Sequence, residues 1–118
     1  MLGGGTAQAD APLIGTQPAQ WRVVWTADPA TRATISWSTK EAGGSHSVRF
    51  RIKGSGETLA EQLAESGRYT GGEFESYYHH ARLTDLQPGT AYEVQMVSDA
   101  NESPVFYFVT APGTDRDL

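Results

Sequence analysis

The sequence contains no cysteine, so disulfide bonds and thiol chemistry are excluded. It also lacks any apolar run near the ~20 residues that a membrane-spanning helix requires, and no membrane span is expected. Acidic residues outnumber basic ones by 14 to 9, and the resulting net charge of −5 repels nucleic acid. Arg49, Arg51 and Lys53 occupy alternate positions, which fits a solvated strand face better than a phosphate-binding stripe.

The 118 residues suffice for one domain and are too few for two ordinary ones. We expect the folded domain to cover residues 14–112, after a disordered leader at 1–13 and before a linker at 113–118. Ala7-Gln8-Ala9 resembles the small-x-small end of a secretory signal whose charged and apolar parts are missing. A flexible leader unrelated to secretion explains these residues equally well.

Apolar and polar residues alternate over several short segments, as in strands with one buried face. The predicted inward sets are Ala33, Ile35 and Trp37; Val48, Phe50 and Ile52; Tyr92, Val94 and Met96; and Phe106 and Phe108. Turn signals separate the segments about every 8–12 residues, and no long helical period is present. The pattern predicts an all-β, immunoglobulin-like (fibronectin type III-like) antiparallel β-sandwich of about seven strands.

Residues 77–92 carry the clearest fold signal. An alternating strand leads into a Leu-x-x-Leu-x-Pro-Gly-Thr-x-Tyr corner at residues 83–92. Pro88 fixes φ and Gly89 permits the turn by which the chain moves from one sheet to the other. Tyr92 then opens the next strand, and we expect its hydroxyl to bond back to nearby backbone as a tyrosine corner.

Local signals conflict at residues 57–67. Thr58-Leu59-Ala60-Glu61 fits a capping box, and Leu59 and Leu63 have the i, i+4 spacing of a helix. A helix of about two turns is marginal without packing, however, and sandwiches of this kind place an edge strand here. We therefore expect an extended edge segment.

The sequence offers no recognisable catalytic or metal site. His79 and His80 are adjacent on one strand, so they point to opposite faces and cannot chelate one ion together. We expect His79 in the core, His80 on the surface and His46 in a Gly/Ser loop. No Gly-x-Ser-x-Gly elbow or phosphate-binding glycine loop is present. The chain is not expected to be an enzyme, and it is assigned no cofactor.

Aromatic residues exceed what one pair of strands needs for its core. Tyr78, His80, Trp21 and Trp25 are the candidates for a surface that docks another domain, although core or edge packing is the simpler role for such side chains.

Several segments together resemble the N-terminal domain of purple acid phosphatases and related metallophosphoesterases. Residues 21–29 and 33–39 look like the opening strand pair of that family, and 47–50 look like its Val-Arg-Tyr/Phe strand. Residues 77–92 resemble its His-His-x-x-Leu-x-x-Leu-x-Pro-x-Thr-x-Tyr stretch, and 106–112 its Phe-x-Phe-x-Thr-Ala-Pro ending. The resemblance extends from about Trp21 to Pro112.

The resemblance implies a non-catalytic accessory domain of a secreted or periplasmic phosphatase. Its partner would be a catalytic metallophosphatase domain of the same polypeptide, with a dinuclear metal centre of iron paired with iron, zinc or manganese. The family's metal-binding motifs are absent from this sequence, so no residue inherits their role. The domain would pack against the phosphatase domain, shape access to its site or contribute contacts in a homo-oligomer. The alternative is a stand-alone or tandem adhesion module that binds a partner at the cell surface.

Overall fold

A computed structural model describes residues 15–25, 28–69 and 76–113 of the chain. The described residues form no helix, and their strands are β1 (Ala19–Val24), β2 (Ala33–Thr39), β3 (His46–Ile52), β4 (Ala60–Leu63), β5 (Glu65–Tyr69), β6 (Ser76–Leu83), β7 (Ala91–Ser98), β8 (Asn101–Glu102) and β9 (Phe106–Val109). The expected leader at 1–13 and all but the first residue of the expected linker lie outside the described residues.

The strands form two antiparallel sheets that pack face to face. The front sheet has the order β1-β2-β6-β5. The back sheet has the order β4-β3-β7, and both β8 and β9 pair with β7. The predicted all-β, immunoglobulin-like sandwich is therefore confirmed. The strand count exceeds about seven because the edge segment is divided in two and a two-residue strand follows the turn after β7.

The core fills the space between the sheets. The predicted alternation is confirmed in β2, where Ile35 and Trp37 are fully buried, and in β7, where Val94 and Met96 are fully buried. Residues nearer the sheet edges are half-buried and pack against this cluster, namely Phe50, Ile52 and Phe106, together with Trp21 and Val23 from β1. The close packing of these apolar side chains is the main source of the domain's stability.

Residues 60–69 form an extended edge segment, as expected, and not a helix. β4 pairs with β3 in the back sheet, and β5 pairs with β6 in the front sheet. The chain changes sheets at Ala64, whose N–H donates to His46 O at 3.0 Å. Glu61 does not act in a capping box, because its carboxylate accepts a hydrogen bond of 2.7 Å from the Ser47 hydroxyl.

The corner between β6 and β7 has the predicted geometry. The Tyr92 hydroxyl accepts a 2.8 Å hydrogen bond from Gln87 N, five residues upstream. Gly89 has a φ of 59°, in the left-handed region that glycine tolerates best. Tyr92 also stacks on Phe108, with ring centroids 5.6 Å apart, so the corner is attached to the core. The tyrosine-corner prediction is confirmed.

Candidate functional site

His79 lies in the sandwich interior, as predicted, and its ring is fully buried. Its Nε2 is 2.8 Å from Thr39 Oγ1, and its Nδ1 is 2.7 Å from Ser66 Oγ. The Thr39 hydroxyl donates its hydrogen to Glu41 O at 2.7 Å, so its oxygen accepts from His79 Nε2–H. His79 Nδ1 is left as the acceptor of the Ser66 hydroxyl. These contacts define a neutral imidazole with both nitrogens occupied.

His46 stacks directly on His79, with ring centroids 3.8 Å apart and planes 21° from parallel. The expectation that His46 lies in a loop is wrong: it is the first residue of β3, because it pairs with Ser98 of β7. His46 Nε2 donates to Ala42 O at 2.6 Å, and its Nδ1 accepts from Ser98 Oγ at 2.8 Å. Ser98 in turn accepts from Trp37 Nε1 at 2.9 Å. Both ring nitrogens of His46 are thus hydrogen-bonded, as those of His79 are.

Both histidines line a groove of about 560 Å³ between the 42–46 segment and strands β4 and β5. Burial, and then the neighbouring His46 and His80, lower the pKa of His79 to about 4. A metal ion needs an unprotonated nitrogen lone pair, and the Nδ1 lone pairs of His46 and His79 are already used by serine hydroxyls. In the part of the chain that the structure describes, no group of three or more potential ligands could hold a metal ion. The residues present therefore do not fit a catalytic metal.

His80 and Tyr78 lie on the opposite, outer face of the front sheet. Together they line a shallow basin of about 370 Å³, here called the outer basin, whose described lining is Gln20, Arg22, Ser38, Tyr69, Ser76, Tyr78 and His80. The rings of Tyr78 and His80 are 4.9 Å apart, and His80 Nδ1 is 2.7 Å from Ser36 Oγ. Partial burial lowers the pKa of His80, and the positive charges of Arg82 and Arg22 add to that effect.

The two tryptophans among the docking candidates lie elsewhere. Trp21 is half-buried and stacks on Phe106 across the sandwich, with centroids 6.5 Å apart, so it closes one edge of the core. Trp25 is 41% exposed and contacts Phe108 edge-on at 5.7 Å. It lines an apolar cavity of about 380 Å³, here called the end groove, with Pro29, Val109 and Ala111. The four candidates therefore occupy three separate places.

Sequence reasoning did not identify the other members of these two sites. Alternation in the last strand could have identified Val109 of the end groove, because Phe106 and Phe108 face inward and Val109 must then face outward. The outer basin could not be found in this way. Gln20 and Tyr69 belong to the two edge strands of the front sheet, and only the strand order places them together.

The alternate basic residues at 49, 51 and 53, in β3 and directly after it, have local partners. Arg49 forms an ion pair with Glu102 at 3.0 Å, and Arg51 forms one with Glu93 at 2.6 Å. Lys53 Nζ lies 4.7 Å from the centre of the Tyr107 ring. This arrangement agrees with the predicted solvated strand face.

Comparison with known proteins identifies the family. The sequence model for the N-terminal domain of purple acid phosphatase matches residues 18–110. No curated protein gives a significant sequence match, and the described residues contain no helix long and apolar enough to cross a membrane.

Solved structures share the fold at low sequence identity. The purple acid phosphatase PPD1 from yellow lupin (Lupinus luteus) seeds superposes with a TM-score of 0.72 and 15% identity, over 83% of this chain and 20% of that protein. The sensor domain of the anti-sigma factor RsgI4 of Pseudobacteroides cellulosolvens superposes with a TM-score of 0.55 and 15% identity, over 84% of this chain and 100% of that domain. Astrotactin-2, a vertebrate-specific perforin-like membrane protein, superposes with a TM-score of 0.58 and 15% identity, over 86% of this chain and 23% of that protein.

This chain thus spans about one fifth of the lupin phosphatase. The family match covers nearly the whole sandwich, from the start of β1 to the end of β9, and includes both the histidine pair and the tyrosine corner. The chain belongs to the purple acid phosphatase N-terminal domain family.

Proposed function

We propose that this chain is the non-catalytic N-terminal accessory domain of a purple-acid-phosphatase-like metallophosphoesterase, and that its end groove packs against the catalytic domain of the same polypeptide. The observation that carries the proposal is the position of the end groove. Large apolar side chains are exposed there, at the place where the described chain leaves the sandwich.

The end groove brings several exposed apolar side chains together in one place. Trp25 is 41% exposed and Val109 is 60% exposed, and Pro29 and Ala111 complete an apolar lining. Contiguous apolar surface on a soluble domain marks a contact site more often than scattered single residues do. A second domain that covered this groove would remove apolar area from water at roughly 25 cal/mol per Å².

The backbone fixes the direction in which the chain departs. Ala111 N donates to Pro29 O at 3.0 Å, and Ala111 O accepts from Gly89 N at 2.8 Å. The chain is therefore held to the sandwich up to the wall of the end groove. A domain that followed a short connection from Gly113 would be placed next to this groove and would meet it at a high effective concentration.

The phosphatase chemistry belongs, in this proposal, to the catalytic domain and its dinuclear metal centre. Among the described residues no group of three or more potential ligands could hold a metal ion, and the nitrogens of His46 and His79 are already hydrogen-bonded. The accessory domain stabilises its partner and shapes one side of it. A secreted or periplasmic location belongs to the same proposal, since it follows from the type of enzyme and from no residue described here.

Two measurements test the proposal. The coding sequence downstream of Leu118 should contain a Gly-Asp-x-Gly motif within a few tens of residues, and a stop codon or a second sandwich there would contradict it. In the parent protein, Val109→Glu would place a carboxylate against the partner, and we expect the interdomain contact to weaken at least about tenfold.

Leu63→Glu is the matched control, because Leu63 is 70% exposed on β4 and lies outside the end groove. Limited proteolysis between the domains and the melting temperature of the catalytic domain report the contact. Val109→Glu should speed the cleavage and lower the melting temperature, and Leu63→Glu should change neither. Equal effects of the two variants would contradict the docking proposal.

A further inference from the structure

We propose that the outer basin binds a carboxylated pyranose, the uronic acid unit of an acidic polysaccharide, with Tyr78 as the stacking surface and Arg22 as the partner of the carboxylate. The site shares no residue with the end groove, so the inference stands or falls independently of the docking proposal.

Tyr78 is held in the position that a stacking platform requires. It pairs with Gly67 of the edge strand β5, and its phenol group lies across that glycine. A Cβ atom at position 67 would come within 2.1 Å of Tyr78 Oη, so only glycine leaves room for the ring there. The ring is thereby kept close to the sheet and remains 40% exposed. The negative face of an aromatic ring attracts the weakly positive C–H groups of a pyranose.

The rest of the lining supplies the polar groups that a sugar needs. Gln20, Ser38 and Ser76 offer amide and hydroxyl groups, which both donate and accept hydrogen bonds. Tyr69, 53% exposed, adds a second aromatic side chain to the rim. A broad, shallow basin that combines aromatic rings with such groups suits a flat, hydroxyl-rich ring better than it suits a compact phosphate.

Charge favours an acidic sugar over a neutral one. Among the described residues, Arg22 and His80 line the basin and no carboxylate does. Glu65, the acidic residue near His80, is engaged in an ion pair with Arg82. Arg22 makes a single hydrogen bond within the described residues, a long one of 3.5 Å from Nη1 to Gln20 O. Its planar guanidinium therefore retains donors for a carboxylate, which it can bind in bidentate fashion.

A local distortion of β1 coincides with the basin. The pairing of β1 with β2 shifts register between Ala19 and Arg22, and Gln20 has a φ of 56°, which is uncommon for a residue other than glycine. Bulges of this kind redirect side chains on edge strands and recur next to binding sites. Both Gln20 and Arg22 of the basin lining lie at this bulge. The irregular backbone and the polar side chains of the basin therefore occur at the same place.

Titration of the 118-residue protein with an oligogalacturonate, followed by calorimetry and by NMR shifts of residues 76–80, tests the proposal. The same oligomer with its carboxylates methyl-esterified is the matched ligand control. We expect the acid to bind with a Kd of about 1 mM or tighter and the ester to bind at least about fivefold more weakly. No binding of the acid, or equal binding of acid and ester, would overturn the proposal.

Three variants assign the contacts. Tyr78→Ala should weaken binding of both ligands about tenfold, whereas Tyr78→Phe should retain it. Arg22→Gln should abolish the preference for acid over ester. Gly67→Ala displaces the Tyr78 ring without removing it and should weaken binding as Tyr78→Ala does. If one of these two variants folds poorly, the other still tests the role of the ring. Tyr107→Ala, an exposed tyrosine on the back sheet, should have no effect, and a loss there equal to that of Tyr78→Ala would refute the assignment.

Discussion

Tyr92 joins two functions in one side chain. Its ring stacks on Phe108 inside the core, and its hydroxyl accepts the N–H of Gln87 in the corner that carries the chain from the front sheet to the back sheet. The corner is therefore held by a hydrogen bond whose acceptor is positioned by core packing. Removing the hydroxyl oxygen alone separates these two contributions.

Tyr92→Phe should lower the free energy of unfolding by about 1–2 kcal/mol, because the Gln87 N–H loses its acceptor while the ring remains packed. Urea unfolding measures the change. Tyr107→Phe is the control, since Tyr107 is 56% exposed and its ring keeps the contact with Lys53 when the hydroxyl is removed, and it should change stability by less than about 0.5 kcal/mol. A similar loss in both variants would show that the corner bond does not stabilise the fold.

The histidines show how far single residues can be predicted from sequence. The adjacency of His79 and His80 on a strand was enough to place one inside and one outside, because side chains alternate. The stacking of His46 on His79 was not predictable in this way. It requires β3 of one sheet to lie across from β6 of the other, which is a property of the packed sandwich.

At the scale of elements, residues 57–69 are the place where local preference and tertiary structure disagree. The Thr58–Glu61 pattern favours a helix start, yet Glu61 is bound by Ser47 and residues 60–63 pair with β3. The pairing satisfies backbone groups along both strands, and a two-turn helix without a packed face offers no comparable gain. In the central strands the local pattern and the tertiary structure agree, because each strand has one face in the core and its apolar residues alternate accordingly.

Ala64→Pro should destabilise the domain by about 1–3 kcal/mol, because proline removes the N–H that donates to His46 O at the point where the chain changes sheets. Hydrogen exchange of the β4 and β5 amides should accelerate more than exchange in β2 or β7. Ala64→Ser keeps the N–H and should leave exchange nearly unchanged. Protection of β4 and β5 that survived Ala64→Pro would contradict the assigned role of this bond.

At the scale of the whole molecule, buried imidazoles couple stability to pH. His79 titrates near 6.5 when unfolded, and burial lowers its folded pKa to about 4. Between these values the unfolded chain binds a proton that the folded chain does not, so stability is fully present above about pH 6.5 and decreases as the pH falls to about 4. His80, whose pKa is also lowered, acts in the same direction.

The expected loss from His79 is about 2 kcal/mol, measured by urea unfolding at pH 7 and at pH 4.5. His79→Gln should flatten this dependence more than His80→Gln does, because His80 is only partly buried. Glu65 and Asp99 have lowered pKa values, through Arg82 and through the Gly44 backbone N–H respectively, so their contributions are lost at lower pH. Stability that is constant from pH 7 to 4.5 would exclude a buried, neutral His79.

The molecule as a whole was easier to predict than its surface sites. Periodicity and the corner determine the sandwich, because each depends on a few neighbouring residues. The outer basin depends on the order of four strands, and its Gln20 and Tyr69 are distant in sequence. Prediction from sequence therefore ends at the point where side chains from non-adjacent strands form a common site.

The sheet change at Ala64 also has a consequence for the behaviour of the free domain in concentrated solution. One ten-residue segment supplies an outermost strand to each sheet, four residues long in β4 and five in β5, with Glu61, Glu65 and Arg68 among them. Short, charged outer strands are poor templates for the growth of ordered fibres, which need long, flat and uncharged ones. The crossing that joins the two layers thus also protects this side of the domain against polymerisation.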